Sequence, residues 1–291
     1  MPSRIRTTGV LLRKTFDRCM KHNTPMLAAA LAFYTLLSLA PGLWIVLAGV
    51  GAVIGKQSAR SQIISWAAEM MGSGGATFVG SLLDGMASNS SFATVAGVIS
   101  MLFGATVAFG ALQDSLNLIW DVPPTDSSYI KDFFSKRVLS FAAVVALGVL
   151  LLASVVTSTA IAAVARFAPQ FLPAPELPLQ VANFVAAMIF LTFLFGMIYR
   201  ILPDARVEWH DVWMGASVTA LLFSLGKTII GLYLGHASSS SAYGAAGSLV
   251  VLLLWVYYSA QIFLFGAEFT EVYASGRRSL VIAPGSNDQV P

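Results

Sequence analysis

The sequence predicts an all-α, polytopic membrane protein: a bundle of six transmembrane helices carrying short amphipathic interfacial helices. Three observations lead there. Hydrophobic residues fill 57% of the 291 positions and charged residues only 11%, against about 25% charged in a soluble domain. The mean hydropathy is +0.77. The apolar residues also gather into six long runs, at about 27–55, 92–112, 138–165, 179–202, 212–235 and 243–269, and roughly 20 apolar residues cross a hydrocarbon core about 30 Å thick. No linker or low-complexity tract divides residues 27–273, so they read as one transmembrane domain.

The N-terminal tail, 1–26, places Leu12, Phe16 and Met20 at i, i+4 and i+8, with Arg13, Lys14, Asp17, Arg18 and Lys21 around them. That pattern suits a basic amphipathic helix lying on anionic inner-leaflet lipids. A signal peptide is not expected, because the first apolar run is far longer than the usual 7 to 15 residues. In that first span, Ala28, Ala29, Ala30 and Ala32 precede Phe33, Tyr34 and Ser38, and then Pro41 and Gly42 stand in mid-membrane. Small residues let helices approach closely, and a central Pro-Gly frees a backbone hydrogen bond, so Pro41 and Gly42 form a candidate hinge or a packing kink.

Residues 56–91 form an outer cap. Ile63, Ala67 and Met70, then Val79, Leu82, Leu83 and Met86, flank Gly72, Ser73, Gly74 and Gly75, which reads as two short amphipathic helices. This cap is also the surface on which an envelope protein partner could dock. The connection from Pro169 to Pro178 holds four prolines and is not helical. The HASSSSAY run from His236 to Tyr243 reads as a flexible outer turn, and 274–291 as a flexible C-terminal tail.

Charge sets the orientation. With a cytoplasmic N-terminus the inner segments hold thirteen Lys and Arg (Arg4 to Lys21, Lys131, Lys136, Arg137, Arg200, Arg206, Arg277 and Arg278), and the outer ones three, Lys56, Arg60 and Arg166. Both termini are therefore expected on the cytoplasmic side. The net charge of +3 is a topology signal spread over juxtamembrane loops, and no nucleic-acid partner is expected.

Three stretches carry a family likeness. AAALAFYTLLSLAPG (Ala28 to Gly42), GALQDSLNLIWDV (Gly110 to Val122) and YGAAGSLVVLLLWVYYSAQIFLFGAEF (Tyr243 to Phe269) together resemble the YihY/BrkB family, in order and across nearly the whole chain. The resemblance implies a six-helix protein of the bacterial cytoplasmic (inner) membrane with poorly defined activity. Some members carry a virulence or serum-resistance label, and many an old ribonuclease label, ribonuclease BN.

The residues do not suit that last label. Metal-dependent hydrolysis needs clustered ligands, but His22, His210 and His236 stand far apart in sequence and on both sides of the expected topology. No GxxxxGK[ST] loop is present for a phosphate. No catalytic residue, metal site or cofactor is therefore assigned, and the chain is not expected to be an enzyme. Cys19, the single cysteine, excludes an internal disulfide.

What remains is polar content within helices. Tyr257, Gln261 and Glu268 share a face of the last span at i, i+4 and i+11, while Gln113 and Asn117, with Asp114 beside them, end the second. With Tyr34 they form a candidate inward-facing polar pocket, or else polar glue between helices. Lys227, the one charge well inside a span, lies on a face with Ser217, Ala220, Ser224, Gly231 and Gly235. It is expected to face neighbouring helices and contact an anionic substrate group or a permeating ion, or else to snorkel to the outer interface and anchor the helix. Thr157, Ser158 and Thr159 lie at compatible depth, and Glu268 near the opposite surface. The leading expectation is a transporter-like protein for a solute, ion or lipid-like substrate; the alternative is a structural or partner-binding envelope protein.

Overall fold

The computed structural model describes residues 2–87, 107–123, 176–205, 207–237 and 247–282. The expected span 138–165, most of 92–112, and Thr157, Ser158 and Thr159 lie outside the described residues. Among those described there is no strand. In chain order the helices are α1 (Pro2–Lys21), α2 (Thr24–Ile54), α3 (Lys56–Ala87), α4 (107–119), α5 (Glu176–Ile201), α6 (Trp209–Ala237) and α7 (Gly247–Ile282).

Three described stretches are long and apolar enough to cross a membrane: Phe184–Ile201 in α5, Trp209–Ile230 in α6 and Gly247–Arg277 in α7. Their outer faces carry exposed Phe184, Ile189, Leu225 and Ile229, as a lipid-facing surface requires. α2 adds a shorter apolar stretch, Thr24–Leu39. It starts where Asn23, in the left-handed region at φ 50°, turns the chain out of α1, with a proline in its first positions. It stays helical through Pro41 and Gly42 and ends at Gly55, whose φ of 87° suits glycine.

The core gathers where α5, α6 and α7 meet. Phe195, Tyr199, Val212, Ala216, Ala220, Phe263, Leu264 and Ala267 are buried together, joined by Ala28 and Leu31 of α2 and Leu116 and Ile119 of α4. Tyr199 donates its hydroxyl to the Phe263 carbonyl at 2.7 Å and lies 3.0 Å from Thr219 Oγ1. α6 and α7 approach so closely that a Cβ at Gly215 would run into the Thr270 side chain, and one at Gly226 would lie 2.6 Å from the Tyr258 ring. Small residues on facing helices permit such contact, and van der Waals packing rewards it. The face of α6 that meets α7 is thus Gly215, Thr219 and Gly226, while Ser217 of the expected small-residue face is exposed.

One element differs from the sequence expectation. α7 does not stop near Phe269 but continues to Ile282, so the first nine residues of the expected flexible tail are helical. Val272 and Ala274 are buried, and Arg277 reaches Asp211 at 3.1 Å and Glu208 at 3.4 Å, which gives the extension a surface to hold. In α3 the chain breaks between two helical arms and folds back at Gly72 (φ 71°), within the glycine run expected to separate two helices. Arg60 meets Asp84 at 2.6 Å, a Cβ at Gly80 would touch Ile64, and Gly75 lies against Met71, so the two arms pair antiparallel about the glycine. Ile63, Ala67, Met71, Val79 and Leu83 then bury against Leu36, Leu39, Leu43 and Leu47 of α2 and Leu252, Trp255 and Val256 of α7. Among the described residues, the apolar faces of the cap are covered by those sides of α2 and α7.

Candidate functional site

Glu268 is fully buried, with Arg18 of α1 and His22, the residue after that helix, set against it. His22 Nδ1 lies 2.6 Å from Oε1, and Arg18 Nε lies 3.2 Å from Oε2. Arg18 has further partners: Glu271 Oε2 at 3.2 Å, and through Nη2 the Ile119 carbonyl at 2.9 Å and Asp121 Oδ2 at 3.0 Å. One guanidinium therefore joins α1, α7 and the end of α4. The local fold explains the reach. Asp121 sits in the left-handed region at φ 51°, so α4 stops there and turns its last carbonyls and this carboxylate toward α1. Thr15 and Cys19 of α1 and His22 just past its end, at helical spacing on a face about a quarter turn from Leu12, Phe16 and Met20, are buried.

Burial acts to lower the Arg18 pKa, but the hydrogen bond to Asp121 and the charges of Glu271 and Glu268 outweigh it and hold the group above its ordinary value. Arg18 is thus a fixed cation. Next to it, burial reinforced by the Glu268 charge pushes the Cys19 thiol up to about 11.

A second polar group lies beside the first. Asn117 Nδ2 donates to Asp204 Oδ2 at 2.8 Å, its Oδ1 accepts from the Asp204 backbone N–H at 2.8 Å, and Gln113 Nε2 adds contacts at 3.2 and 3.3 Å. These bonds hold the turn after α5 to α4. Asp114 is on the exposed side of α4.

The eight candidate residues therefore divide. Glu268, Gln113 and Asn117 gather at one end of the bundle. Gln261 donates to the Tyr257 hydroxyl at 2.6 Å along α7. Tyr34 packs edge-on against Phe33, with ring centroids 5.9 Å apart. Lys227 Nζ is 2.9 Å from Glu69 Oε1 of the α3 hairpin. Arg18, His22, Asp121, Asp204 and Glu69 were missed in the sequence, though Thr15, Arg18, Cys19 and His22 at spacings of three and four did mark a second face on α1. Among the described residues no group of three His, Cys, Asp or Glu is arranged for a metal ion; the carboxylates at Arg18 are directed at its guanidinium.

A family model described as virulence factor BrkB matches residues 15–287. The chain belongs to the BrkB family. Relatives include a UPF0761 membrane protein of Alteromonas mediterranea, 28% identical over 87% of this chain and 84% of its own length. One from Alcanivorax borkumensis is 29% identical over 99% of this chain and 63% of its own. A third, from Pseudoalteromonas translucida, is 28% identical over 87% and 82%. No solved structure matches the chain. The Arg18–Glu268 cluster of this BrkB-family protein lies within the matched residues, as do Lys227 and Glu69.

Proposed function

We propose that this BrkB-family protein is a six-span protein of the bacterial inner membrane, both termini cytoplasmic, that moves or admits a solute, ion or lipid-like molecule. The observation that carries this reading is Glu268: a fully buried carboxylate in an apolar helix, held by the His22 imidazole and the Arg18 guanidinium. A charge within a membrane bundle costs at least about 2.5 kcal/mol, and such residues usually mark a pathway or a relay. Since Arg18 also holds α4 and Glu271, the cluster is a closure of the cytoplasmic end that must loosen for anything to pass. Lys227, further along the bundle, supplies a second charge on the same route.

The free face of α1 supports a place for this end in the bilayer. Leu12, Phe16 and Met20 are 45%, 58% and 49% exposed, next to Arg13, Lys14 and Lys21. The exposed, stacked Trp209 and Trp213 lie at the start of α6, where an aromatic belt is expected. We read α1 as resting on anionic inner-leaflet lipids and the chain as non-enzymatic.

Complementation of a deletion strain tests the function. Glu268→Gln and Lys227→Met are expected to abolish complementation at unchanged membrane abundance. Silent substitutions, combined with a damaging replacement of α3, would favour the alternative role as a partner-binding envelope protein.

A further inference from the structure

Arg18 grips two carboxylates by one oxygen each and leaves the other oxygen of each to His22. On Glu268 it holds Oε2 at 3.2 Å, while Oε1 faces His22 Nδ1 at 2.6 Å. On Asp121 it holds Oδ2 at 3.0 Å, while Oδ1 faces His22 Nε2 at 4.0 Å. The imidazole therefore stands between two carboxylates that one guanidinium keeps in place. Their surroundings are opposite: the Glu268 side chain has no exposure, whereas that of Asp121 keeps 61%. His22, itself buried, separates the water at Asp121 from the acid behind it.

Chemistry singles out His22 as the bridge. A guanidinium stays charged and passes no proton onward, so the Arg18 side of Glu268 is closed to proton exchange. The other ionisable groups packed here are Cys19 of α1, whose thiol holds its proton up to about 11, and Glu271 of α7, tied to Arg18 at 3.2 Å. An imidazole can take a proton on one nitrogen and give one up from the other, and with a carboxylate at each nitrogen it donates to both only as the imidazolium. Glu268, Glu271 and Asp121 moreover share the single fixed charge of Arg18, so an added proton lessens the excess of anions. Chains of carboxylates and histidine of this kind carry protons in membrane pumps.

We propose that His22 and Glu268 form a proton-binding site, loaded through Asp121 from the water at this end of the bundle, and that the proton is the coupling ion of this protein. The transfer balances. Nε2 takes a proton from the Asp121 carboxyl, Nδ1 gives its own to Glu268 Oε1, and the ring is left neutral with its proton on the other nitrogen. The 4.0 Å gap at Nε2 is closed by a small turn of the exposed Asp121 carboxyl or by one bridging water. A proton on Glu268 takes away one of the anions that hold Arg18, so loading the site slackens the tie between α1 and α7. The site rests on these contacts alone; its part in coupling rests on the transporter-like reading.

The test takes the full-length chain in lipid nanodiscs, its glutamates isotope-labelled in the carboxyl group, through a pulse of acid released by light and follows it by infrared spectroscopy. The carbonyl band of protonated Glu268 is expected to rise, to shift in heavy water and to be missing in Glu268→Gln. His22→Gln should slow the rise about a hundredfold and Asp121→Asn about tenfold, positioned proton carriers being worth about 10²–10⁴. Asparagine tolerates the left-handed backbone at position 121, and Arg18 keeps Glu268 and Glu271, so that variant retains the fold. Asp84→Asn, on the α3 hairpin, should leave the rate unchanged. Absence of the band, or a rise that His22→Gln or Asp121→Asn leaves untouched, would overturn the site and leave a structural knot. Complementation of the deletion strain separates the two readings. A band with these kinetics, in a protein whose His22→Gln and Glu268→Gln variants still complement, keeps the site and sinks its role in transport. No band, with complementation lost in Glu268→Gln, does the reverse.

Discussion

At Glu268 the balance of burial and pairing decides what a substitution does. A buried carboxylate stripped of one partner keeps its desolvation cost and loses its compensation, typically 3–5 kcal/mol. Arg18→Met is therefore expected to cost about 3 kcal/mol and to lower the melting temperature in detergent sharply, while Arg60→Met, at the more exposed pair with Asp84, costs under about 1 kcal/mol. Equal losses would show that Arg18 is not the organising cation. Cys19 offers a titration test. Its folded pKa of about 11 lies above the ordinary 9.0, so the native state holds the proton more tightly than the unfolded chain does. The resulting stability is complete below about pH 9 and is lost as pH rises from 9 to 11. Cys19→Ser should flatten that alkaline slope. The same shift leaves about a hundredfold less thiolate at neutral pH, so a maleimide should react with native Cys19 about a hundredfold more slowly than with free cysteine. Because this slowness holds on either side of a membrane, Cys19 does not report orientation.

Helix by helix, the small residues set the geometry. Gly266 faces Thr219 and the Tyr199 hydroxyl, which a Cβ would approach to 2.7 Å. Gly266→Val should therefore separate α6 from α7 and cost about 1–3 kcal/mol by overpacking, read as a lower unfolding temperature. Gly42→Ala provides the contrast, since a Cβ there meets nothing within 4 Å. That variant should be as stable as the parent, and combined with Pro41→Ala it tests the hinge by complementation: retained function leaves Pro41 and Gly42 a packing role only. In α3 the bend depends on a backbone that L side chains rarely adopt. Gly72→Val should straighten or unseat the hairpin, and a loss of protection against hydrogen exchange confined to α3 is the expected signature.

For the molecule as a whole, the charge asymmetry sets an expected orientation. A reporter active only outside the cytoplasm should be active when fused after Ser88 or Ser239 and silent after Pro124 or Ala205. The reverse pattern would invert the assignment and move the Arg18–Glu268 cluster to the outer face. The extension of α7 to Ile282 adds a further expectation. Truncation after Phe269 removes Glu271 and Arg277, two ties of the bundle end, and should reduce membrane abundance.

Hydropathy by itself determined the class of this protein, because crossing a bilayer demands long apolar runs that any reader of the chain can find. Spacing did the same for α1, whose exposed Leu12, Phe16 and Met20 repeat at the helical period, and three motif stretches sufficed for the family. Local rules also reached the Gly72 region as a break between two helices. They did not reach the pairing of Lys227 with Glu69, 158 residues apart, or of Arg18 with Glu268, 250 apart. Periodicity reports which face of a helix is polar, and says nothing about which other helix brings the opposite charge. That choice was made by close approach: α6 against α7 through glycines, α3 folded back on α2, and α1 turned at Asn23 along the extended end of α7. Burying a charge is tolerable only after these contacts exist, which is why tertiary structure alone decided the partners.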